Sequence, residues 1–418
     1  MKLRFLGGAS EVGRSAILID DQRRIMLDYG IKIDDVTDYP ISIPDIDAAV
    51  VSHAHLDHSG SLPLLYKDMS IPTFGTAPTL KLSNLLLEDS LKLFKKNHVP
   101  PKFHKRQLND LLKHYISLEY RKKINFSNYD ITLYDAGHIT GSAITLVERP
   151  RGKDTKRIVY TGDFKITPQM LHAGAEIVKS DLLIIESTYA GKSHPDRGDL
   201  IKKFVAEIRD VLDSGGNALV PAFAVGRSQE LLAVLYKNGL ADVTYVDGMS
   251  KSATSIVLEY QNYINNKNLL NGAAKSVNWV EDYEMRNDAL SQPSVILTTA
   301  GMLNGGPVLN YITRLNSRSK IFLTGYQVDG TNGRLLLENK KLNIDNSKVA
   351  IKTPVSFYDF SAHADNNDLY EFIEKSSPNT IACVHGDSTR ISEFVENLKG
   401  MGFDAYGPKV GDSIDIND

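Results

Sequence analysis

The sequence predicts a layered α/β protein with a second, largely parallel α/β unit. Three observations predict it: short apolar runs set between turn residues up to Glu186, helical apolar spacing between some of those runs, and regular strand and helix alternation after Glu186. The chain opens on Lys2-Leu3-Arg4-Phe5-Leu6, an apolar strand with no signal-peptide core. Runs at Ala16 to Asp20, Ile25 to Asp28, Ala48 to Ser52, Ile131 to Asp135, Ala143 to Glu148, Arg157 to Thr161 and Leu182 to Glu186 read as strands of a layered sheet. Pro78 to Lys96 and Gln107 to Leu118 carry apolar residues at helical intervals. Beyond Glu186, helices at Leu200 to Leu212 and Ser228 to Leu240 interleave with strands at Ala218 to Pro221, Val243 to Val246, Ser294 to Thr298 and Lys320 to Leu323. That βαβ order predicts parallel pairing. Strands then return at Ile351 to Phe357 and Thr380 to Val384, around a helix at Asn367 to Glu374.

Composition narrows the function classes. A chain of 418 residues, 24% charged and 42% hydrophobic, fits two or three globular domains with ample core. A net charge of −3 excludes a strongly basic nucleic-acid coat, so any polynucleotide binding rests on a local patch or on metals. The single cysteine, Cys383, excludes disulfide frameworks and Cys-rich zinc ribbons and fits a reducing compartment. No stretch approaches the ~20 apolar residues of a membrane span, so no membrane partner is expected and the cytoplasm is the expected location.

The run Ser52-His53-Ala54-His55-Leu56-Asp57-His58-Ser59-Gly60 follows a short apolar strand and carries the most chemistry. Three imidazoles and a carboxylate this close repel one another on protonation unless a cation organises them; such donors suit zinc and also accept manganese. His53 and His55, two apart on an extended backbone, face one side, while Asp57 and His58 turn away with the chain. One loop can therefore serve two adjacent metals. Asp28, His138, Asp163 and His385 stand at the ends of other predicted strands, where layered α/β folds open onto a common rim.

In this order, His-x-His-x-Asp-His followed by a lone His and a lone Asp resembles the metallo-β-lactamase superfamily. Glu186 in Ile185-Glu186-Ser187-Thr188, His363 in Ser361-Ala362-His363-Ala364-Asp365 and His385 in Val384-His385-Gly386-Asp387 resemble the three extra motifs of the β-CASP nucleases. The stretches Leu6 to Ser15, Pro221 to Glu230 and Gly325 to Thr331 extend the likeness, which is nearest to the cleavage and polyadenylation specificity factor branch of archaea and bacteria. The resemblance implies a metallo-β-lactamase αββα sandwich over 1–188, a β-CASP α/β cap over 189–353 and a completing sandwich segment over 354–418.

It further implies two zinc ions, manganese being the alternative. His53, His55 and His138 would hold one, and Asp57, His58 and His385 the other, with Asp163 bridging both beside a hydroxide. Asp28 would orient ligands from behind. His363, held by Glu186, would be the general acid, and Asp57 counts with them in the catalytic set. The chemistry is coherent: two metals ~4 Å apart acidify a water and stabilise an in-line displacement. The departing 3′-oxygen still needs a proton, which a histidine off the metals can supply, leaving a 5′-phosphate and a 3′-hydroxyl.

A long inserted unit suits a strand rather than a small molecule, and a His at the third extra motif goes with RNA-cleaving relatives, so single-stranded RNA is the expected partner. Gly226-Arg227-Ser228 opens a helix and Ser361 adjoins His363, making Arg227, Ser228 and Ser361 phosphate-contact candidates, with helix capping as the alternative. A basic stretch from Lys92 to Lys123 reads either as RNA steering or as a solvated helix face. The expected function is a zinc-dependent ribonuclease, mainly endonucleolytic, in RNA 3′-end formation or turnover. A 5′-to-3′ exoribonuclease and a non-catalytic RNA-binding scaffold stay open as alternatives, as do homodimerisation and membership of a processing complex.

Overall fold

The computed structural model describes residues 1–33, 37–41, 45–151, 154–344 and 347–416. Contacts group the chain into two units: Met1–Pro168 with His172–Ser193 and Ala362–Asp418, and Gln169–Leu171 with His194–Ser361.

In the first unit, strand alternation sets the layers. Along Ala16–Asp20, Ile17 and Ile19 enter one core, while Ala16 and Leu18 enter another. The same split runs through two seven-stranded sheets. Between the sheets lie Phe5, Ile17, Leu27 and Val50 from one, and Ile131, Val147, Ile158 and Ile184 from the other. Outside the first sheet pack Leu62, Leu87, Leu108 and Leu111 from helical segments. Outside the second pack Leu369, Phe372, Ile391 and Phe394, again helical. The unit is thus the expected αββα sandwich.

Pairing directions place the strand ends. Leu182–Glu186 runs parallel to both Asp154–Tyr160 and Thr380–Val384. Tyr129–Asp135 is antiparallel to Ala143–Arg151, which is antiparallel to Asp154–Tyr160, so it points the same way as Asp154–Tyr160. Asp135, Tyr160, Glu186 and Val384 therefore leave the sheet at one edge, where α/β sheets commonly build their sites.

The second unit is a six-stranded, wholly parallel sheet in the order Asn278–Trp279, Thr244–Asp247, Ser294–Thr298, Asn217–Pro221, Lys320–Leu323, Val355–Phe357. Helices cover both faces. The helix Arg197–Asp213, started by Asp196 accepting from the Asp199 N–H, buries Leu200, Phe204, Val205, Ile208 and Val211. Phe204 is fully buried among the rings of Phe322, Tyr358 and Phe360, with centroids 5.8, 5.3 and 5.0 Å away. Phe204→Ala is expected to cost about 3–5 kcal/mol, read as a lower urea midpoint at unchanged slope.

Some boundaries differ from expectation. The strand Val355–Phe357 pairs with Lys320–Leu323, so the second unit continues past 353, to Ser361. The helix expected to reach Leu118 spans Lys105–His114, because Tyr115–Ser117 pairs with Thr73–Gly75 and sheet pairing overrides helical spacing there. The helix Ser388–Gly400 is additional to the elements expected from sequence, although its signals are present: Asp387 accepts the Thr389 and Arg390 N–H groups, and Ile391, Phe394, Val395 and Leu398 form one face.

Candidate metal centre and active site

The strand Ala48–Val50 feeds an extended loop that enters the short helix Leu56–Ser59. A neighbouring segment clamps this loop through its backbone: Tyr29 N–H donates to His58 O, Ile31 N–H to Leu56 O, and Ser15 N–H to Asp57 O. Gly30 permits the approach, since a Cβ there would stand 1.8 Å from Asp57 O. Gly137 does the same for the His138 loop; its φ is +67° and a Cβ would stand 2.5 Å from Lys165 O.

Two donor groups result, each with ligand atoms all within 4.8 Å of one another: His53, His55, His138 and Asp163, and Asp57, His58, Asp163 and His385. In the first, His55 Nδ1 lies 3.2 Å from both His53 Nε2 and His138 Nε2. Asp163 Oδ2 lies 3.5 Å from His53 Nε2 and 3.9 Å from His138 Nε2. In the second, Asp163 Oδ1 lies 3.3 Å from His58 Nε2, and His385 Nε2 lies 3.4 Å from Asp57 Oδ2. One carboxylate thus turns one oxygen to each group. All seven residues expected as ligands are brought together.

These donors fit divalent cations. Four tetrahedral ligands at about 2.0–2.1 Å from zinc stand roughly 3.3 Å apart, close to the spacings seen. Buried His58 Nε2, Asp163 Oδ1 and His385 Nε2 make no hydrogen bond among the described residues. Such orphaned polar atoms are costly unless something binds them. Burial, reinforced by neighbouring imidazoles, pushes His53 and His138 well below the usual histidine range, keeping them neutral and able to ligate. Burial raises the Asp163 carboxyl, but facing His58, His385 and His363 outweigh it and hold Asp163 well below the ordinary carboxylate range.

The opposite ring nitrogens are fixed from behind. Asp28 Oδ2 accepts from Tyr160 Oη at 2.7 Å and Ser52 Oγ at 2.7 Å, and lies 2.7 Å from His58 Nδ1. Its other oxygen accepts the Ser52 N–H at 2.6 Å. This geometry leaves His58 Nε2 toward the donor group. His138 Nδ1 lies 2.9 Å from Ala362 O; His385 Nδ1 lies 3.2 Å from Thr188 Oγ1 and also faces Asp163 Oδ1 at 3.4 Å. Asp28 itself has φ +58°, which aspartate and asparagine tolerate. Asp28→Asn keeps that backbone but sets an amide against His58 Nδ1. Zinc affinity, measured against a chromophoric chelator, is expected to fall about 10–100-fold.

A third group joins Asp163 to Glu186 and His363. His363 Nδ1 lies 3.1 and 3.2 Å from the two Glu186 oxygens and 3.7 Å from Asp163 Oδ2. Glu186 is itself held, accepting the Phe164 N–H at 3.0 Å and the Thr188 hydroxyl at 2.6 Å. Burial disfavours the His363 cation, but the Glu186 and Asp163 carboxylates outweigh burial and raise its pKa to about 9. Ser52, Tyr160 and Thr188 were not singled out from sequence. Tyr160 sits in an apolar strand and reads as core; Thr188 alone had a signal, its place two residues after Glu186.

The substrate-contact candidates belong to the second unit. Arg227 donates to Thr324 O. The buried Ser228 hydroxyl donates to Phe223 O at 2.7 Å and pairs with the Ser250 hydroxyl, a local bracing of the helix start. Ser361 N–H donates to Asp359 Oδ1 at 3.1 Å. In the basic stretch, Lys92, Lys95, Lys96 and Lys105 are exposed, whereas Arg121, Lys122 and Lys123 pair with Glu176, Glu119 and Asp130. No helix among the described residues is long and apolar enough to cross a membrane.

An αββα sandwich whose strand ends gather histidines and carboxylates around one shared aspartate defines a metal-dependent hydrolase. Residues 228–336 match the Beta-Casp domain, 348–408 the Zn-dependent metallo-hydrolase RNA specificity domain, and 1–210 the Anti-Pycsar protein Apyc1 family. The chain is 37% identical over 431 residues to "Probable RNase MJ4" of Methanocaldococcus jannaschii, covering 100% of both. It is 35% identical to "RNase aCSPSF2" of Saccharolobus solfataricus, covering 99% of this chain and 85% of that one. It is 33% identical to "Transcription termination factor FttA" of M. jannaschii, covering 96% and 69%. The chain belongs to the β-CASP metallo-β-lactamase ribonucleases, in the archaeal cleavage and polyadenylation specificity factor branch. A crystal structure of a protein of unknown function from Enterococcus faecalis V583 shares the fold, with TM-score 0.66 over 99% of each chain at 15% identity.

Proposed function

We propose that this protein is a zinc-dependent endoribonuclease that hydrolyses single-stranded RNA in 3′-end formation or turnover, in the cytoplasm. The observation that carries this reading is Asp163, whose two oxygens face two separate imidazole groups while His363 and Glu186 stand alongside. His53, His55, His138 and Asp163 would hold one zinc, and Asp57, His58, His385 and Asp163 a second. Bound metal supplies an acidified water and charge stabilisation on the phosphate.

The chain's own residues do the rest. The 3′-oxygen leaves poorly as an alkoxide, so the break at phosphorus needs a proton delivered to that oxygen. His363 Nδ1 faces Glu186, which leaves Nε2 as the nitrogen to donate it. Glu186, braced by Phe164 N–H and Thr188, fixes that tautomer and ring angle. The products are a 3′-hydroxyl and a 5′-phosphate. The names of the relatives and the match of 348–408 support RNA over a small-molecule substrate.

The test offers zinc-loaded protein one RNA in two forms, 5′-labelled linear and covalently closed circular, with His363→Ala as control. Wild type is expected to cut the circle and the variant to leave it intact. Cutting of the linear form alone would move the assignment to a 5′-to-3′ exonuclease. No cutting of either, with zinc bound, favours the scaffold.

A further inference from the structure

We propose that Lys165 is a positioning residue for His363, an inference that rests on reading His363 as the proton donor. The loop 359–365 belongs to no helix or strand, so no ladder of backbone bonds fixes it. Yet a proton donor must be held closely: a displacement of about 1 Å can cost 10²-fold in rate. Two consecutive carbonyls of the loop are gripped instead. Ala362 O faces His138 Nδ1 at 2.9 Å, and His363 O accepts from Lys165 Nζ at 3.0 Å.

The lysine is unusual in where it lies. Its side chain is only 5% exposed, and burying an ammonium costs several kcal/mol unless donors and charge are matched. The Asp368 carboxylate, 4.0 Å away, supplies the charge, and it is anchored in turn by the Thr167 hydroxyl at 2.9 Å. The Lys165 backbone is equally tied: its N–H donates to Ala136 O at 2.9 Å, and its carbonyl accepts from Ala175 N–H at 2.7 Å. Lys165 thus stands on the strand-end rim two residues past Asp163, and its ammonium reaches the peptide that carries His363. Methionine would match its length without a donor. An uncharged buried chain would pack at least as readily, so core filling does not explain an ammonium here.

The test separates positioning of the acid from general stabilisation. An RNA is prepared with its natural linkage or with sulfur replacing the 3′-bridging oxygen at the bond cut. A 3′-thiolate leaves without protonation, as the low pKa of a thiol requires. Single-turnover rates and zinc content are measured for wild type, H363A, K165M, K165Q, K165R and K165M/H363A. K165M and K165Q are expected to lose about 10–10²-fold on the oxygen linkage, with zinc content and KM unchanged, and only a few-fold on sulfur. K165R should recover part of the loss, and the double variant should be no worse than H363A alone. If sulfur rescues H363A but neither Lys165 variant, Lys165 does not act through His363. Loss of zinc from both Lys165 variants also overturns the proposal, because the lysine would then serve the ligands. If sulfur fails to rescue H363A itself, the proton-donor reading falls, and this inference with it.

Discussion

Replacing His363 by alanine is expected to lower turnover about 10²–10⁴-fold while leaving the zinc content as in wild type. The expectation follows from where the ring stands. Its Nδ1 lies nearer to Glu186, at 3.1 Å, than to Asp163, at 3.7 Å, and four of the other ligand candidates have supports that do not involve the His363 ring. His53 is braced by Ser52, His58 by Asp28, His385 by Thr188, and His138 by the Ala362 carbonyl, which alanine at 363 retains. Removing the imidazole therefore takes away the proposed proton source while those supports stay in place. Elemental analysis of the purified variant, beside its cleavage rate, checks both halves. A zinc-depleted His363→Ala protein would mean that His363 belongs with the ligands, and the division of labour drawn above would fail.

How much of this was legible in the sequence depends on how local each feature is. The His53 to His58 run was legible because its spacing acts within one turn of chain, and a strand followed by a short helix converts that spacing into two facing donor sets. Distant ligand candidates such as His138, Asp163 and His385 were legible only through their order, since each alone reads as a turn residue or a solvated strand end. The residues behind the ligands were not legible. Tyr160 and Ser52 meet at Asp28 because two sheets pack face to face, and no period within either strand marks that meeting. Lys165 has the same character: its partner lies 198 positions away along the chain. At Ser228 the sequence supported both readings, phosphate contact and helix bracing, and the hydroxyl is committed to Phe223 and Ser250.

Asp163→Ala is expected to empty the site. The side chain is 1% exposed and is the only group shared by both donor sets among the described residues, so its loss leaves two three-member sets with no carboxylate between them. It also removes the carboxylate oxygen that faces the buried His58 and His385 rings at 3.3 and 3.4 Å. Zinc binding and stability should then fail together, because a ligand that binds only the folded state stabilises it in proportion to its occupancy. At a free zinc concentration of 100 times Kd that linkage is worth about 2.7 kcal/mol, and it should appear in wild type as a rise in Tm on adding zinc. The variant should show no such rise and no cleavage. Asp163→Asn separates charge from shape: it keeps the volume and one acceptor, so it should refill the cavity while still losing zinc. Retention of two zincs by Asp163→Ala would sink the bridging role, and would shift the shared position to one of the surrounding histidines.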